Sequence, residues 1–286
     1  MSDMNRSFAG QMPELYDRFL VPVMFEPFAQ DLANRLQGIL SGHVLELAAG
    51  TGIVTRALSR TLPAPVAITA TDLNPAMLDQ ARSHAGLERV QWQEADALSL
   101  PFADQQFDHI VCQFGVMFFP DKVAAFREAM RVLRPGGRFL FSVWGNREGS
   151  VWDVVVAVVG QFLSRGPASL VSPPYNDVAT VQADLAAAGF AAITAEHVIQ
   201  STHTRSPREA AVSQCHGGLV RAAIDAQMPD QLDEITEAAT AAIAARFGSG
   251  PVDSPLHAIL FAAVRPSGRW ERQHHPGPRL SGAPGT

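Results

Sequence analysis

Two glycines and two carboxylates early in the chain have the types and spacing of a site for a nucleotide-like ligand. Glu46 closes an apolar run, Gly50 and Gly52 follow it, and Asp72 closes the next apolar run twenty residues beyond Gly52. A glycine-rich turn between a strand and a helix lets a ligand approach the backbone closely. A carboxylate placed like Asp72 can accept hydrogen bonds from two vicinal ribose hydroxyls. A dinucleotide loop would carry a third glycine where this chain has Thr55, which weakens a nicotinamide cofactor without excluding it.

The segment around these residues alternates β-rich runs with helical patterns between positions 40 and 145. The predicted strands are 43–47, 66–71, 88–93, 107–112 and 138–144, and the predicted helices are 53–62, 75–84 and 121–133, with a turn at 134–137. Such alternation indicates βαβ units and a parallel sheet with helices on both faces. Two later strands, 191–200 and 254–265, are separated by about fifty mostly helical residues. An irregular stretch at 149–177 precedes them, and its apolar beginning is expected to form a core-facing helix or a pocket wall.

The sequence "ELAAGTG" resembles the first signature of the class I S-adenosylmethionine-dependent methyltransferases, in which an acid precedes glycines at alternate positions. Ala48 stands where that family usually has its first glycine. "TATDLNPAMLDQAR", "QEADALSLPFADQQFD" and "FDHIVCQFGVMFFPD" then resemble the later signatures in their usual order. The resemblance implies S-adenosyl-L-methionine as cofactor and S-adenosyl-L-homocysteine as product. It also implies a doubly wound α/β fold with a seven-stranded, mostly parallel sheet, an antiparallel last strand and a helical insertion before that strand.

The same resemblance assigns cofactor roles to several side chains. Asp72 would bind the ribose, while Asn74 is the better candidate to cap the following helix. Leu73 and Met77 would flank the adenine, unless they belong to the core. Asp96 would accept a hydrogen bond from the adenine amine, unless it is a solvated loop residue. The complete predicted cofactor set is Tyr16, Glu46, Ala48, Gly50, Gly52, Asp72, Leu73, Met77, Asp96, Ala97 and Gln113.

The N-terminal "YDRFLVPVMFEPFAQDLA" resembles a leader found near the ubiquinone and menaquinone type of small-molecule methyltransferase, where a helix folds over the cofactor. Tyr16 would then reach the methionine carboxylate, and Phe25 and Phe28 would close the pocket. Amphipathic packing explains these aromatic residues equally well. The predicted substrate-binding residues are Phe25, Phe114, Trp144 and Trp152. Their rings suit a planar or apolar acceptor.

Methyl transfer from a sulfonium is an in-line displacement, so the protein must mainly align the reactants and exclude water. An acceptor hydroxyl would also need a base. His216 is the predicted catalytic base, because the glycines of "CHGG" interrupt a helix that is expected to roof the pocket; the alternatives are His197, His203 and His257. No metal is expected, because the exit of the fourth predicted strand carries no carboxylate.

The composition argues against several partners. The formal net charge is −6 and no basic stripe is present, which disfavours nucleic acid. "SPPY" at 172–175 is similar to an acceptor motif of DNA amino-methyltransferases, but it follows the fifth predicted strand and is predicted to be a loop turn. No segment has the length of a membrane span. Two distant cysteines, Cys112 and Cys215, fit a reducing cytoplasm, and the chain is expected to be a monomer or a homodimer.

The predicted organisation is a helical cap at 1–36, a methyltransferase domain at 37–266 with a helical lid at 205–247, and a disordered tail at 267–286. The predicted function is methylation of a small organic molecule with an aromatic or apolar body. Two alternatives stay open. An NAD-dependent oxidoreductase is opposed by Thr55 and by the lack of a Tyr-x-x-x-Lys pair. A non-catalytic module that binds S-adenosylmethionine would bind the cofactor without turnover.

Overall fold

Within residues 10–163 and 174–267, which this computed structural model describes, seven strands form one sheet. The strands are β1 (Gly42–Glu46), β2 (Val66–Asp72), β3 (Val90–Glu94), β4 (Phe107–Gln113), β5 (Leu133–Trp144), β6 (Ala191–Thr204) and β7 (Val252–Val264). Their spatial order is β3-β2-β1-β4-β5-β7-β6. The pairs among β1 to β5 are parallel, whereas β7 runs antiparallel to both of its neighbours. The predicted mostly parallel sheet with an antiparallel last strand is therefore confirmed.

Helices connect the strands, and local sequence sets where they begin. The helices are α1 (Met12–Leu15), a π-helix (Tyr16–Phe25), α2 (Glu26–Asn34), α3 (Ile53–Thr61), α4 (Pro75–Arg82), α5 (Lys122–Val132), α6 (Val151–Phe162), α7 (Val178–Ala187), α8 (Pro207–Cys215), α9 (Gly218–Gln227) and α10 (Leu232–Phe247). The Asn74 side chain caps α4 by accepting from the Ala76 N–H at 3.0 Å. Asp121 caps α5 in the same way through the Ala124 N–H at 2.9 Å. A capping side chain satisfies a backbone donor that the first helical turn leaves unpaired.

The strand order reverses beside β1, which lies between β2 and β4. In open α/β sheets, ligands bind outside the carboxyl ends of the strands at such a reversal. Glu46, Asp72 and Gln113 are the last residues of β1, β2 and β4. The topology therefore brings three sequence-predicted site residues to one edge of the sheet.

The N-terminal cap contains a feature that the sequence did not predict, the ten-residue π-helix. Its end is marked by a bond from the Glu26 N–H to the Val21 carbonyl, which spans five residues rather than four. Pro22 lies inside this helix. Proline lacks an N–H donor, and its ring clashes with the carbonyl four residues earlier, so it disturbs the α-helical pattern locally. Single π turns are frequent at functional sites.

One predicted boundary needs correction, and one predicted helix is present. The predicted turn at 134–137 falls inside β5, but it bulges away from β4, because the pairing jumps from Phe107–Leu133 to His109–Arg138. Gly136 supplies the positive φ of 82° that this bulge requires. The predicted irregular stretch at 149–177 begins with α6, whose Ser150 cap accepts from the Asp153 N–H.

Two apolar clusters hold the described chain together. The larger one surrounds the sheet and includes the fully buried Phe107, Phe139 and Phe261. The second lies among α6, α8, α9 and α10, with Val155 and Ile235 fully buried. The helical insertion between β6 and β7 therefore packs against α6 as a body with its own core.

Several sequence predictions fall partly or wholly on residues outside the described ranges; the irregular stretch at 149–177 and the "SPPY" motif do so at 164–173. The first nine residues of the predicted cap and the predicted tail beyond Ser267 also lie outside them. Among the described helices, none combines the length and the apolar character needed to cross a bilayer.

Candidate functional site

A cavity of about 510 Å³ lies at the carboxyl edge of the sheet. Strand ends contribute Asp72, Gln113 and Trp144, and the cap covers them with residues of the π-helix such as Tyr16. The turn between α8 and α9 forms the roof, from Gln214 to Val220. Cavities of roughly 300–1,000 Å³ are typical of small-molecule sites.

Backbone amides hold Asp72 at this cavity. Its Oδ2 accepts from the Gly50 N–H and its Oδ1 from the Asn74 N–H, each at 2.8 Å. Burial raises the pKa of Asp72, and the N–H groups of Asn74, Gly50 and Leu73 oppose that rise. A carboxylate has about four acceptor sites, so Asp72 keeps acceptor capacity toward the cavity.

Glu46 braces the glycine loop from below and does not line the cavity. It is 2% exposed, and its Oε2 accepts from Thr55 Oγ1 at 2.6 Å. Burial raises the pKa of Glu46 to about 8, and the Thr55 hydrogen bond opposes that rise. Thr55, which stands where a dinucleotide loop has its third glycine, is thus tied to the end of β1.

Close backbone approach explains the small residues of the loop. A Cβ at Gly52 would lie 3.1 Å from the Ala81 Cβ, and one at Gly115 would lie 2.5 Å from the Ala48 Cβ. Ala48 itself has φ 52° and Phe114 has φ 53°. The left-handed conformation costs an L-residue roughly 1–2 kcal/mol, and such strain clusters at ligand sites. The alanine at the family's glycine position therefore keeps a backbone conformation that favours glycine.

The β2 and β3 side of the cavity holds the residues predicted to flank an adenine. Leu73 is 44% exposed, whereas Met77 and Ala97 are buried against the cavity. Asp96 lies at the rim, and its Oδ1 accepts from the Leu98 N–H at 2.9 Å. An apolar slot with a carboxylate at its edge matches the shape and the amine of a purine.

The β4 and β5 side carries a wall of aromatic rings. Phe114 and Trp144 stack with centroids 3.6 Å apart and planes 7° from parallel. Phe25 meets both rings edge-on, and Phe28 does so from below the cavity lining. Trp152 extends the wall at 5.4 Å from Trp144. This flat apolar surface suits a planar ligand.

Two polar contacts attach the cap to the sheet. Gln113 Nε2 donates to the Phe25 carbonyl at 3.1 Å, while its buried Oε1 has no hydrogen-bond partner among the described residues. Asp17 of the π-helix accepts from Thr51 Oγ1 at 2.8 Å, and its Oδ2 lies 2.9 Å from His84 Nε2. The Arg56 guanidinium lies 3.4 Å from the same carboxylate. Asp17 thus links the cap to the glycine loop, α3 and α4.

The sequence did not reveal the role of Asp17, because its partners lie 34 to 67 positions away in the chain. Its place directly after Tyr16 in the predicted leader was the available signal. The glycines of "CHGG" have a packing role that was also missed. A Cβ at Gly218 would lie 2.8 Å from Leu20 Cδ2, and one at Gly217 would lie 3.3 Å from the Leu15 carbonyl. The roof therefore rests directly on the cap.

His216, the predicted catalytic base, does not line the cavity. Its Nε2 lies 3.2 Å from Thr236 Oγ1 on α10, and its ring lies 5.6 Å from the Phe19 ring. Burial lowers the pKa of His216. His216 caps the carboxyl end of α8, and its side chain lies between the insertion and the cap. This geometry gives no support to a role as catalytic base. The alternatives His197, His203 and His257 lie on β6 and β7 and do not line the cavity either.

The structure brings most predicted site residues together. Those that line the cavity are Tyr16, Phe25, Ala48, Asp72, Leu73, Met77, Asp96, Ala97, Gln113, Phe114, Trp144 and Trp152. Glu46, Gly50 and Gly52 shape the loop from outside the lining. The "SPPY" motif is only partly described; its Tyr175 donates to Asp184 Oδ2 at 2.6 Å and is not part of the cavity.

Comparison with known proteins bears on the segment that forms this edge of the sheet. Residues 44–137 match the model of the family described as "Methyltransferase domain". This segment is therefore similar to a methyltransferase domain. The matched residues begin in β1 and end in β5, so they include the glycine loop, Asp72 and Gln113.

Individual proteins agree with this assignment. The ubiquinone/menaquinone biosynthesis C-methyltransferase UbiE of Idiomarina loihiensis is 42% identical over 146 residues, which are 49% of this chain and 57% of that protein. The YcgJ protein of Bacillus subtilis has a similar structure, with a TM-score of 0.55 and 22% identity over 84% of this chain and 99% of that one. Phosphoethanolamine N-methyltransferase 2 of Haemonchus contortus, solved with S-adenosyl-L-methionine, has a TM-score of 0.59 and 17% identity over 93% of this chain and 60% of that one.

These matches cover only part of the relatives, and this limits what can be concluded from them about the whole protein. The matched region spans between 37% and 57% of the length of the curated relatives. The solved structures share the fold at low sequence identity. The family match covers the glycine loop and the ends of β1, β2 and β4, whereas the N-terminal cap and the helical insertion lie outside residues 44–137.

Proposed function

We propose that this protein transfers a methyl group from S-adenosyl-L-methionine to a small organic acceptor with an aromatic or apolar body. One observation carries the proposal. A single cavity has a carboxylate and a glycine loop on its β2 side and stacked aromatic rings on its β5 side. The first part fits an adenosine, and the second fits a planar partner for the reaction.

The described residues fit the cofactor at several points. Asp72 keeps acceptor capacity toward the cavity for a ribose hydroxyl, and the slot between Leu73 and Met77 fits the adenine with Asp96 at its amine. Ala48 and Gly115 keep the loop side of the cavity free of larger side chains. The buried Oε1 of Gln113 offers an acceptor to an ammonium group after a small side-chain rotation.

When bound, the cofactor supplies an electrophilic methyl group on a positively charged sulfur. The residues of this chain do the positioning. Phe114 and Trp144 fix the plane of the acceptor, and the cap and roof exclude water from the reacting atoms. A water-poor site favours displacement because a nucleophile in it is less solvated.

The acceptor must need little help with proton removal. The titratable side chains in the described cavity lining are Tyr16, Asp72 and Asp96, and all three belong to the cofactor side or the cap. Burial raises the pKa of Tyr16, with Asp72 and Asp17 adding to the rise, so the phenol stays protonated. We therefore infer that the acceptor is an acidic enol or phenol, a nucleophilic carbon or a neutral amine.

Hydride transfer with a nicotinamide cofactor receives less support. Thr55 binds Glu46 where a dinucleotide loop would bring a glycine close to the pyrophosphate. The methyltransferase match covers the loop as well. A non-catalytic binding role would not require an aromatic wall beside the cofactor, yet that wall lines the same cavity.

Calorimetric titration with S-adenosyl-L-homocysteine, and separately with NADH, tests the cofactor. We expect binding of the first ligand only. Asp72→Ala should weaken it by about 1.5–3 kcal/mol, the value of hydrogen bonds to a charged group. Asp79→Ala, on the solvent side of α4, is the matched control and should leave affinity unchanged. NADH binding that depends on Asp72 would replace the proposal with an oxidoreductase.

A further inference from the structure

Gln214 is the one side-chain amide in the described cavity lining for which no hydrogen bond to a described residue is found. The Thr71 hydroxyl donates to the Glu46 carbonyl, and Asn74 caps α4. Asp72, Asp96 and Gln113 have the backbone partners given above, and Tyr16 also has an interaction partner. Gln214 is only 3% exposed, and no hydrogen bond joins its amide to another described residue.

The amide is not fully enclosed, so it reaches the cavity space, where a ligand that displaces water must replace its lost hydrogen bonds. An apolar side chain of similar length would fill the same space without that loss. The neighbours of Gln214 are otherwise well placed: Ser213 Oγ donates to the Ala210 carbonyl at 2.8 Å, and Cys215 is fully buried. The amide is therefore an exception within a packed helix end, and it lies at a cavity.

The position of the amide is fixed from three sides. α8 packs against α10 through the buried Ala211 and Ile235 of the second apolar cluster. Three and four residues after Gln214, Gly217 and Gly218 contact the cap. Trp152, part of the aromatic wall, lines the main cavity together with Gln214. The amide thus stands over the region that the aromatic rings leave for the acceptor.

Gln214 also borders a second, much smaller cavity of about 10 Å³ with hydroxyl groups in its wall, among them those of Ser254 and Thr202. A carboxamide has two donor hydrogens and one acceptor oxygen, so it can face both cavities. The Thr202 hydroxyl donates to the Ser254 carbonyl and Ser254 Oγ accepts from the Val151 N–H, so neither hydroxyl bonds the amide, and its donors and acceptor stay available to a ligand in the main cavity.

We propose that Gln214 determines acceptor specificity by hydrogen bonding an oxygen substituent, a hydroxyl or carbonyl, on an otherwise apolar or aromatic ring. The inference rests on the proposed function and narrows its substrate class. A ring without such an oxygen leaves the amide unpaired in a dry site, which is how a buried polar group rejects an analogue.

The test compares two ligands of equal shape, 2-naphthol and 2-methylnaphthalene, titrated by calorimetry into protein saturated with S-adenosyl-L-homocysteine. We expect the wild-type protein to bind 2-naphthol about three- to tenfold more tightly, as one neutral hydrogen bond gives. Gln214→Leu should bring the ratio to about one without changing the affinity for S-adenosyl-L-homocysteine. Gln231→Leu is the matched control, because Gln231 is exposed on the same insertion and lies outside the cavity lining.

A second variant distinguishes loss of the hydrogen bond from misfolding of Gln214→Leu. Gln214→Glu keeps the shape and an acceptor but loses the donors, so it should retain 2-naphthol and discriminate against 2-methoxynaphthalene, which can only accept. An equal preference in wild type and Gln214→Leu, no preference in wild type, or no binding of either naphthalene would overturn the proposal. A wild-type protein that does not bind S-adenosyl-L-homocysteine would instead refute the proposed function itself.

Discussion

Asp17→Asn should loosen the N-terminal cap and speed the release of S-adenosyl-L-homocysteine. The Asp17 carboxylate is 12% exposed and lies near three groups of the domain below, Thr51, Arg56 and His84. Asparagine keeps the shape and can still accept from Thr51, but it removes the charge that faces Arg56. A hydrogen bond to a charged group contributes about 1.5–3 kcal/mol, and the Arg56 contact is long at 3.4 Å, so we expect a loss of about 1–2 kcal/mol of cap docking.

This loss of docking free energy sets the expected change in the dissociation rate of S-adenosyl-L-homocysteine. Every 1.4 kcal/mol is a factor of ten, so dissociation that requires the cap to open should become about 5- to 30-fold faster. Stopped-flow displacement of S-adenosyl-L-homocysteine measures this rate, and hydrogen exchange should rise over the π-helix and α2. Asp79→Asn is the control, because its carboxylate is 73% exposed and pairs with Arg82 on the solvent side of α4. A folded Asp17→Asn protein whose release rate stays within about twofold of wild type would refute the clamp.

Three further predictions follow from the loop and the roof. Burial raises the pKa of Glu46 to about 8, above its ordinary 4.5, so the folded protein holds that proton more tightly than the unfolded chain, and its stability falls as pH rises from about 4.5 to about 8. Glu46→Gln should flatten this decline when Tm is measured against pH. Parallel Tm-against-pH curves for the wild type and the variant would contradict this. Gly115→Ala should cost about 1–3 kcal/mol of unfolding free energy in urea, since its Cβ would lie 2.5 Å from the Ala48 Cβ, whereas Gly250→Ala, with open space around it, should cost much less. His216→Ala should leave methyl transfer within about twofold at every pH, because the ring does not line the cavity; a pH-dependent loss of turnover would restore its predicted role.

The cofactor side could be predicted from the sequence because its residues act close to where they occur in the chain. Asp72 closes a strand, Asn74 caps the next helix two residues later, and the glycine loop follows β1 directly. Each of these positions is set by local periodicity and capping chemistry. The parallel order of the strands then brings the strand ends together.

The roof and the cap could not be predicted in the same way. Whether His216 or Gln214 faces the cavity depends on how α8 rotates against α10, and a two-residue shift along a helix turns a side chain by more than half a circle. The Asp17 contacts join segments far apart in the chain, and no local pattern signals them. The π-helix also escaped prediction, because Pro22 indicates a disturbed helix without fixing how the backbone adjusts.

The most direct test of the central claim uses S-adenosyl-L-methionine labelled on its methyl group, incubated with the protein and fractionated cell extract. Methyl transfer predicts label in a small-molecule fraction, with a mass increase of one methyl group that identifies the acceptor, and no transfer by Asp72→Ala at the same cofactor concentration. Label found only in protein or nucleic acid, or none in any fraction although S-adenosyl-L-homocysteine binds, would contradict the account.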